Sequence, residues 1–175
     1  MRIIAGDRRG AKIAAPKGDT TRPTGDRVRE AAYNLVGPVE GATVLDLFAG
    51  SGAMGLEALS RGARRCVFVE SDPAACRVIQ GNLERLRLTG ALVLRKDAFQ
   101  ALREERGRTY DLVLVDPPYG TWPDLEPRLA EALPAALTPG GLLVVETATR
   151  VEPELPLELI TSRRYGSARI TLFTR

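Results

Sequence analysis

Four acidic residues stand where predicted buried strands end, and these positions suggest a shared ligand site. Asp46 lies in the first such strand, Glu70 closes the second, Asp97 follows the third and Asp116 follows the fourth. In open parallel sheets, ligands bind in the crevice outside the carboxyl ends of the strands. Each carboxylate alone would also serve as a helix N-cap. Because all four share the position, we predict that they converge on one site that binds a polar ligand.

Glycines follow the first strand at the spacing of a nucleotide-binding turn. Gly50, Gly52 and Gly55 form G-x-G-x-x-G before a predicted helix, and Glu70 follows at the end of the next strand. This is formally the dinucleotide fingerprint, in which the acid binds ribose hydroxyls. A pyrophosphate prefers backbone N–H groups without a nearby carboxylate. Asp46 would instead attract the sulfonium and ammonium groups of S-adenosylmethionine, so the pattern favours that methyl donor.

The fourth strand leads into a second motif, Asp116-Pro117-Pro118-Tyr119. Two successive prolines remove N–H donors and stiffen the turn, so carbonyl oxygens and the carboxylate become fixed acceptors. An aromatic ring beside such acceptors suits a flat heterocycle that carries an exocyclic amine. We predict that this motif is the catalytic segment and that it grips a planar amine.

The elements that would position these motifs alternate between strand and helix. Continuous apolar strands joined by helices predict an α/β fold with a mostly parallel seven-stranded sheet covered on both faces. We predict strands at 43–47, 66–69, 91–94, 111–115 and 142–145, helices at 53–61, 73–88, 99–105 and 124–136, a turn at 139–141, and a last antiparallel pair at 157–163 and 168–174.

The N-terminal residues predict a small extension of the main domain. Short β signals at 2–6 and 11–15 indicate a hairpin, and a loop rich in Pro, Gly and Thr follows. Asp26 is expected to cap a helix over about 27–36. We place the extension at residues 1–38 and the main domain at 39–175.

Composition and charge exclude several classes of protein. The 175 residues contain two cysteines and no histidine, which excludes a disulfide scaffold and a histidine general base. No apolar stretch approaches a membrane span and no signal peptide begins the chain, so we expect a cytoplasmic protein. The net charge is +3, but both ends are basic and the middle is acidic. This distribution favours a polyanion footprint around a more acidic site, although solvated basic surfaces would produce the same pattern.

Taken together, the motifs resemble a known family. D-L-F-A-G-S-G-A-M-G at 46–55, V-E at 69–70 and D-P-P-Y at 116–119 resemble S-adenosylmethionine-dependent amino-methyltransferases. R-I-I-A-G at 2–6 and R-P-T-G-D-R-V-R-E at 22–30 add a resemblance to the RsmD family, which methylates N2 of a guanine in 16S ribosomal RNA. The match covers nearly the whole chain, and Gly25 stands where a threonine is expected.

The resemblance implies a Rossmann-like class I methyltransferase fold and a role for each matching residue. S-adenosylmethionine would be the cofactor, without a metal, and the substrate would be 16S ribosomal RNA in an assembling small subunit, bound by a monomer. Asp116, Pro117, Pro118 and Tyr119 would hold the flipped guanine. The expected cofactor-binding residues are Asp46, Phe48, Gly50, Ser51, Gly52, Glu70, Ser71, Asp97, Ala98 and Asp116. The expected RNA-binding residues are Arg2, Arg8, Arg9, Lys12, Arg22, Thr24, Arg27 and Arg29.

Three alternatives remain open at the level of sequence. D-P-P-Y does not distinguish guanine N2 from adenine N6 or from a protein glutamine. The G-x-G-x-x-G turn would also suit an NAD-dependent oxidoreductase, although Asp46 and the lack of histidine oppose it. The fold could also serve a non-catalytic RNA-binding assembly factor, which the intact acidic set and D-P-P-Y oppose.

Overall fold

The apolar runs of the sequence form one sheet. In the computed structural model, which describes residues 1–16 and 25–175, seven strands pair side by side. They are β1 (Thr43–Leu47), β2 (Arg65–Glu70), β3 (Ala91–Arg95), β4 (Tyr110–Val115), β5 (Leu137–Ala148), β6 (Glu158–Tyr165) and β7 (Ala168–Thr174). Their order across the sheet is β3-β2-β1-β4-β5-β7-β6. The predicted α/β class and Rossmann-like fold are confirmed.

Five helices are assigned within the described residues. They are α1 (Asp26–Val36), α2 (Ala53–Ser60), α3 (Pro73–Leu86), α4 (Ala98–Glu104) and α5 (Trp122–Ala136). Side chains alternate between the two faces of the sheet, so each strand feeds two cores. Val44 and Leu114 pack with α1, α2 and α3, whereas Leu45 and Val113 pack with α4 and α5. Helices therefore cover both faces, as the sequence predicted.

The pairing pattern brings the predicted acidic residues to one edge. Strands β1 to β5 are parallel, with Leu47 opposite Val69 on β2 and opposite Val115 on β4. The last two strands are antiparallel to their neighbours β5 and β7. Parallel strands end at the same edge, so the loops after β1, β2, β3 and β4 meet there.

Two predicted elements differ in extent from the observed ones. The Pro139-Gly140-Gly141 sequence was predicted to be a turn, but β5 runs through it from Leu137 to Ala148. The register between β4 and β5 shifts between Tyr110 and Leu112, so an irregularity in pairing absorbs the glycines. Helix α5 begins at Trp122, two residues before the predicted start, and tolerates Pro127 and Pro134 inside it.

The N-terminal segment folds against α2 and α3 with little regular structure. The predicted hairpin is present as a short antiparallel pairing: Arg2 and Lys12 form an isolated bridge, Ile3 N donates to Ala11 O at 2.9 Å and Ile13 N to Met1 O at 3.0 Å, but neither segment forms an extended strand. Ile3 and Ile13 are nevertheless buried in the core beside α1 and α2. The expected cap at Asp26 is wrong, because Gly25 holds the cap position and Asp26 pairs with Arg29. Segment 1–16 is therefore held by the burial of Ile3 and Ile13 and by hydrogen bonds of its backbone to α2.

No helix among residues 1–16 and 25–175 is both long enough and apolar enough to cross a bilayer.

Candidate active site at the carboxyl edge of the sheet

Asp46 is a buried carboxylate beneath the glycine turn. Its side chain is 1% exposed, and its Oδ2 accepts a hydrogen bond of 2.9 Å from the Gly55 backbone N–H in the first turn of α2. Burial raises the pKa of Asp46 to about 7; the Gly55 hydrogen bond opposes this shift and the nearby Glu70 charge adds to it. Near neutral pH this buried acid is only partly ionised, and a nearby cation would stabilise its ionised form.

Glu70 ties the loop after β1 to the loop after β2. Its Oε2 accepts from Gly50 N at 2.8 Å, and its Oε1 accepts from Asp72 N at 2.8 Å. Ser71, exposed beside it, lies 3.5 Å from the same Oε1 through its hydroxyl. Each carboxylate oxygen has a second lone pair, so these bonds leave room for a ligand hydroxyl. Ribose binding by Glu70 stays a prediction.

The loop between β1 and α2 has the backbone geometry that a close ligand approach requires. Phe48 adopts φ 60°, a left-handed conformation that is rare for a bulky side chain. Gly50 and Gly52 also have positive φ, at 56° and 78°. The conformation of Phe48 is strained, and the surrounding structure must hold it in place. Strained residues of this kind cluster at ligand sites. Ser51 lies between the two glycines, half-buried.

Asp97 acts as a helix cap in this structure. Its Oδ1 accepts from Phe99 N at 3.0 Å and from Gln100 N at 3.2 Å, at the start of α4. Ala98, the first residue of that helix, is buried. The contact of Asp97 and Ala98 with adenine stays a prediction, and it requires the capping carboxylate to accept an additional donor.

The D-P-P-Y motif leaves β4 directly beside the glycine loop. Asp116 N lies 3.5 Å from Leu47 O on β1, and Pro117 is buried. Thr121 donates its hydroxyl to the Pro118 carbonyl at 2.6 Å, which closes the turn. The Tyr119 ring is 41% exposed, the most accessible aromatic ring near this edge. The motif therefore presents a half-buried carboxylate and an accessible ring side by side.

Glu146 was not predicted from the sequence but belongs to the same edge. It lies on β5, one residue past the Val145–Val115 pair, and is 6% exposed. The Tyr119 hydroxyl donates to its Oε1 at 3.0 Å. The signal was present, because Glu146 follows an apolar run as the other acids do. The predicted strand stopped at Val145, so the residue was passed over.

A second missed acid, Glu57 on α2, anchors the N-terminal segment. Its side chain is fully buried, and its two oxygens accept from Ile4 N and Ala5 N at 2.9 Å each. Arg61 Nε donates to it at 2.8 Å, and Arg29 Nε lies 3.5 Å away. These contacts give both oxygens of the buried carboxylate a partner and fix residues 4 and 5 against α2.

The predicted RNA-binding residues divide into accessible and inaccessible ones. The side chains of Arg2, Arg9, Lys12 and Arg27 are exposed. Arg8 is half-buried and donates through Nε to the Leu86 carbonyl at 2.5 Å. Arg22 and Thr24 lie outside the described residues.

Arg29 corrects the prediction. Its side chain is fully buried and pairs with Asp26 at 3.0 Å and with Glu57. A helical arginine is expected in solvent, but position 29 falls on the buried face with Ala32 and Tyr33. It therefore stabilises the fold in place of contacting RNA.

The residues present at this edge fit S-adenosylmethionine. The buried Asp46 carboxylate suits a cationic amino-acid moiety, and Glu70 suits a ribose diol. A Cβ placed on Gly50 would face open space, with Phe48 O as its nearest neighbour at 4.0 Å, so the turn leaves room above it. The groups at this edge include several carboxylates, which would repel an anionic pyrophosphate.

Comparison with known proteins agrees with this geometry. The family described as Conserved hypothetical protein 95 matches residues 1–174. YlbH of Bacillus subtilis is 37% identical, over 100% of this chain and 99% of its own length. A Haemophilus influenzae protein named ribosomal RNA small subunit methyltransferase D is 34% identical, over 94% of this chain and 84% of its own.

Solved structures give the same result. The Escherichia coli protein yhhF superposes with a TM-score of 0.88 at 33% identity, covering 100% of this chain and 97% of its own. The protein SMU.776, solved with SAH, shares the fold at a TM-score of 0.72 and 18% identity, over 85% of this chain and 48% of its own. The chain belongs to the family described as Conserved hypothetical protein 95, and its motifs identify that family as the RsmD family.

Proposed function

We propose that the protein transfers a methyl group from S-adenosylmethionine to the exocyclic N2 of a guanine in 16S ribosomal RNA. The observation that carries this proposal is the adjacency of two motifs. The glycine turn leaves β1 and D-P-P-Y leaves β4, and these strands pair directly through Leu47 and Val115. A donor on the first and an amine on the second would lie next to each other. The names of the related proteins support the ribosomal substrate.

The chain's own residues account for most of the chemistry. A guanine amino group is a weak nucleophile, because its lone pair is delocalised into the ring. We infer that Asp116 and the Pro117 carbonyl accept its hydrogens and so favour a pyramidal nitrogen. Tyr119 stacks on the base and sets the angle of approach. S-adenosylmethionine, when bound, supplies a methyl group on a good leaving group, so a strong base is unnecessary. The amine proton passes to Asp116 or to water after attack.

The substrate surface that we propose comprises exposed basic residues of the N-terminal segment and α1. Arg2, Arg9, Lys12 and Arg27 are exposed there, and arginine suits phosphate contact. We propose that these residues, with Arg8, bind the RNA backbone of an assembling small subunit as a monomer in the cytoplasm. Arg22 and Thr24 complete the basic segment in the sequence. RNA binding of this kind weakens as salt concentration rises.

A labelled methyl-transfer assay tests the proposal. The substrate is small ribosomal subunits from a strain that lacks the enzyme, and the product nucleoside is identified by mass. We expect N2-methylguanosine from the wild type and a rate loss of roughly 10²-fold or more in Asp116→Ala, because the base is no longer oriented. The matched control is Asp124→Ala, an exposed acid on α5.

The outcomes distinguish the alternatives. N6-methyladenosine or a methylated protein as the product would replace the guanine assignment and leave methyl transfer intact. Failure to bind S-adenosylmethionine, with binding of NAD instead, would overturn the reaction class. A wild-type protein that binds subunits without transferring methyl groups would be an assembly factor.

A further inference from the structure

The hydroxyl of Tyr119 is anchored to a carboxylate far away in the sequence. Tyr119 lies in the loop after β4, where its ring is 41% exposed, and its hydroxyl donates to Glu146 Oε1 at 3.0 Å. Glu146 lies 27 residues later on β5. An exposed ring in a loop would otherwise sample several rotamers. This hydrogen bond restricts the ring at the end opposite its Cα.

Glu146 occupies a position where a carboxylate is costly for folding. It is 6% exposed, and Val144, the preceding residue on the same face of β5, is 2% exposed. The directly paired residue on β7 is Ile170, also buried. An apolar side chain would suit this environment better, because a buried charge loses hydration. A carboxylate at this position therefore indicates a role other than packing.

The backbone is restricted at both partners of the Tyr119–Glu146 hydrogen bond. Pro117 and Pro118 restrict the backbone that leads into Tyr119, and Thr121 closes the turn onto the Pro118 carbonyl at 2.6 Å. β5 is a central strand of the sheet, and Glu146 pairs with Ile170 on β7 directly after the last β4–β5 pair, Val115 with Val145. A rigid turn and a rigid strand thus hold the Cα and the hydroxyl of one tyrosine. These two constraints fix the long axis of the ring, which runs from Cβ to the hydroxyl.

We propose that Glu146 is a positioning residue, which holds the long axis of the Tyr119 ring in the direction that places the ring over the target base. This inference rests on the proposed function, in which Tyr119 contacts the base. Glu146 acts through the tyrosine hydroxyl. A phenylalanine at position 119 would stack on the same base without this restraint. The consequence is a rate effect, because a misplaced ring changes the angle at which the amine approaches the methyl group.

A double-mutant cycle with methyl transfer as the readout tests this role. Tyr119→Phe and Glu146→Ala each remove the same hydrogen bond, from opposite ends. We expect each to lower kcat about tenfold, because positioning is lost while the catalytic groups remain. The KM for S-adenosylmethionine should not change. The double variant should lose no more than either single variant, since two changes to one interaction are not additive.

A conservative variant and a matched pair separate positioning from folding. Glu146→Gln keeps an acceptor oxygen for the tyrosine hydroxyl, so it should recover most of the rate that Glu146→Ala loses. The control is Tyr110→Phe, because Tyr110 at the start of β4 donates to Glu105 Oε2 at 2.7 Å. It removes a comparable tyrosine–glutamate bond distant from D-P-P-Y and should leave kcat unchanged. Tm values are measured for all variants.

The result can overturn the inference without touching the proposed function. Multiplied losses in the double variant would show that Glu146 acts independently of Tyr119. Full activity in Tyr119→Phe would show that the hydroxyl bond has no positioning role. Either result would leave the wild-type product unchanged. If the wild type instead methylates another amine, kcat of each variant in the double-mutant cycle is measured for that product.

Discussion

One buried carboxylate lies at each end of helix α2, and the two differ in their hydrogen-bond and ion-pair partners. Near the carboxyl end, Glu57 accepts from Ile4 N, Ala5 N and Arg61, with Arg29 3.5 Å away. Near the amino end, Asp46 accepts from Gly55 N. Both side chains are at most 1% exposed. Glu57 is surrounded by positive charge, whereas burial raises the pKa of Asp46 to about 7.

This difference supports separate roles for the two acids. A buried carboxylate with two arginines is neutralised by the fold and fixes the segments around it. A buried carboxylate whose recorded partner in the described residues is one N–H keeps much of its desolvation cost. A cation that enters the site reduces that cost. The comparison therefore supports Asp46 as the acid that receives the ligand and Glu57 as the acid that holds the N-terminal segment.

The largest expected effect is on stability, from Glu57→Ala. The change leaves Arg29 without its buried partner and frees the N–H groups of Ile4 and Ala5. Breaking a buried ion pair from one side costs about 3–5 kcal/mol in the free energy of unfolding. Denaturant titration measures the loss. Glu84→Ala, an exposed helical glutamate on α3, is the control and should stay within about 0.5 kcal/mol of the wild type. A loss below about 1 kcal/mol for Glu57→Ala would show that this acid is not the structural clamp.

The second effect is a pH dependence caused by Asp46. Its pKa is raised from 3.8 to about 7 in the fold, so the native state binds the proton more tightly than the unfolded chain. The stability from this group is complete below about pH 4 and is lost as pH rises to about 7. Each pKa unit corresponds to about 1.4 kcal/mol, so the loss reaches about 4 kcal/mol.

Asp46→Asn isolates that effect, because asparagine does not titrate. The difference in unfolding free energy between wild type and variant should fall with rising pH between 4 and 7 and then level off. A constant difference would mean that Asp46 is ionised throughout.

The same proton links to ligand binding. If Asp46 faces the cationic part of S-adenosylmethionine as proposed, its ionised form binds the ligand better, and the affinity of the wild type should rise about tenfold per pH unit between about pH 4 and 7. Calorimetry should show a smaller slope in Asp46→Asn.

Packing at the amino end of α2 gives the next largest effect. A Cβ on Gly55 would lie 2.4 Å from Phe68 Cε1 and 2.7 Å from Cys66 Sγ, and both side chains are fully buried. Gly55→Ala should therefore cost about 1–3 kcal/mol by overpacking. It should also weaken S-adenosylmethionine binding, since Gly55 N holds Asp46. Gly81→Ala in α3 is the control, because nothing lies within 4 Å of its added Cβ. That change should instead stabilise the protein by about 0.5–1 kcal/mol. Equal effects would remove the packing explanation.

The sequence predicted the amino end of α2 much better than its carboxyl end. Asp46, Gly50 and Glu70 stand at the ends of apolar runs, a local signal that follows from the chain alone. Glu57 and Arg29 interact across 28 residues, and a helical pattern with charges in it ordinarily indicates a solvated face. Glu146 was missed for a different reason, since the predicted strand ended at Val145 whereas β5 continues to Ala148.

The smallest expected effect compares two arginines on α1. Arg27 is exposed, whereas Arg29 is fully buried two residues later. If Arg27 contacts an RNA phosphate, Arg27→Ala should weaken subunit binding and reduce the slope of log K against log salt by about 1. Arg103→Ala, exposed on α4 across the sheet, should leave the slope unchanged. An unchanged slope in Arg27→Ala would remove α1 from the RNA surface. Arg29 does not contribute to the slope, because its buried side chain pairs with Asp26 and Glu57 and has no counterions to release when RNA binds.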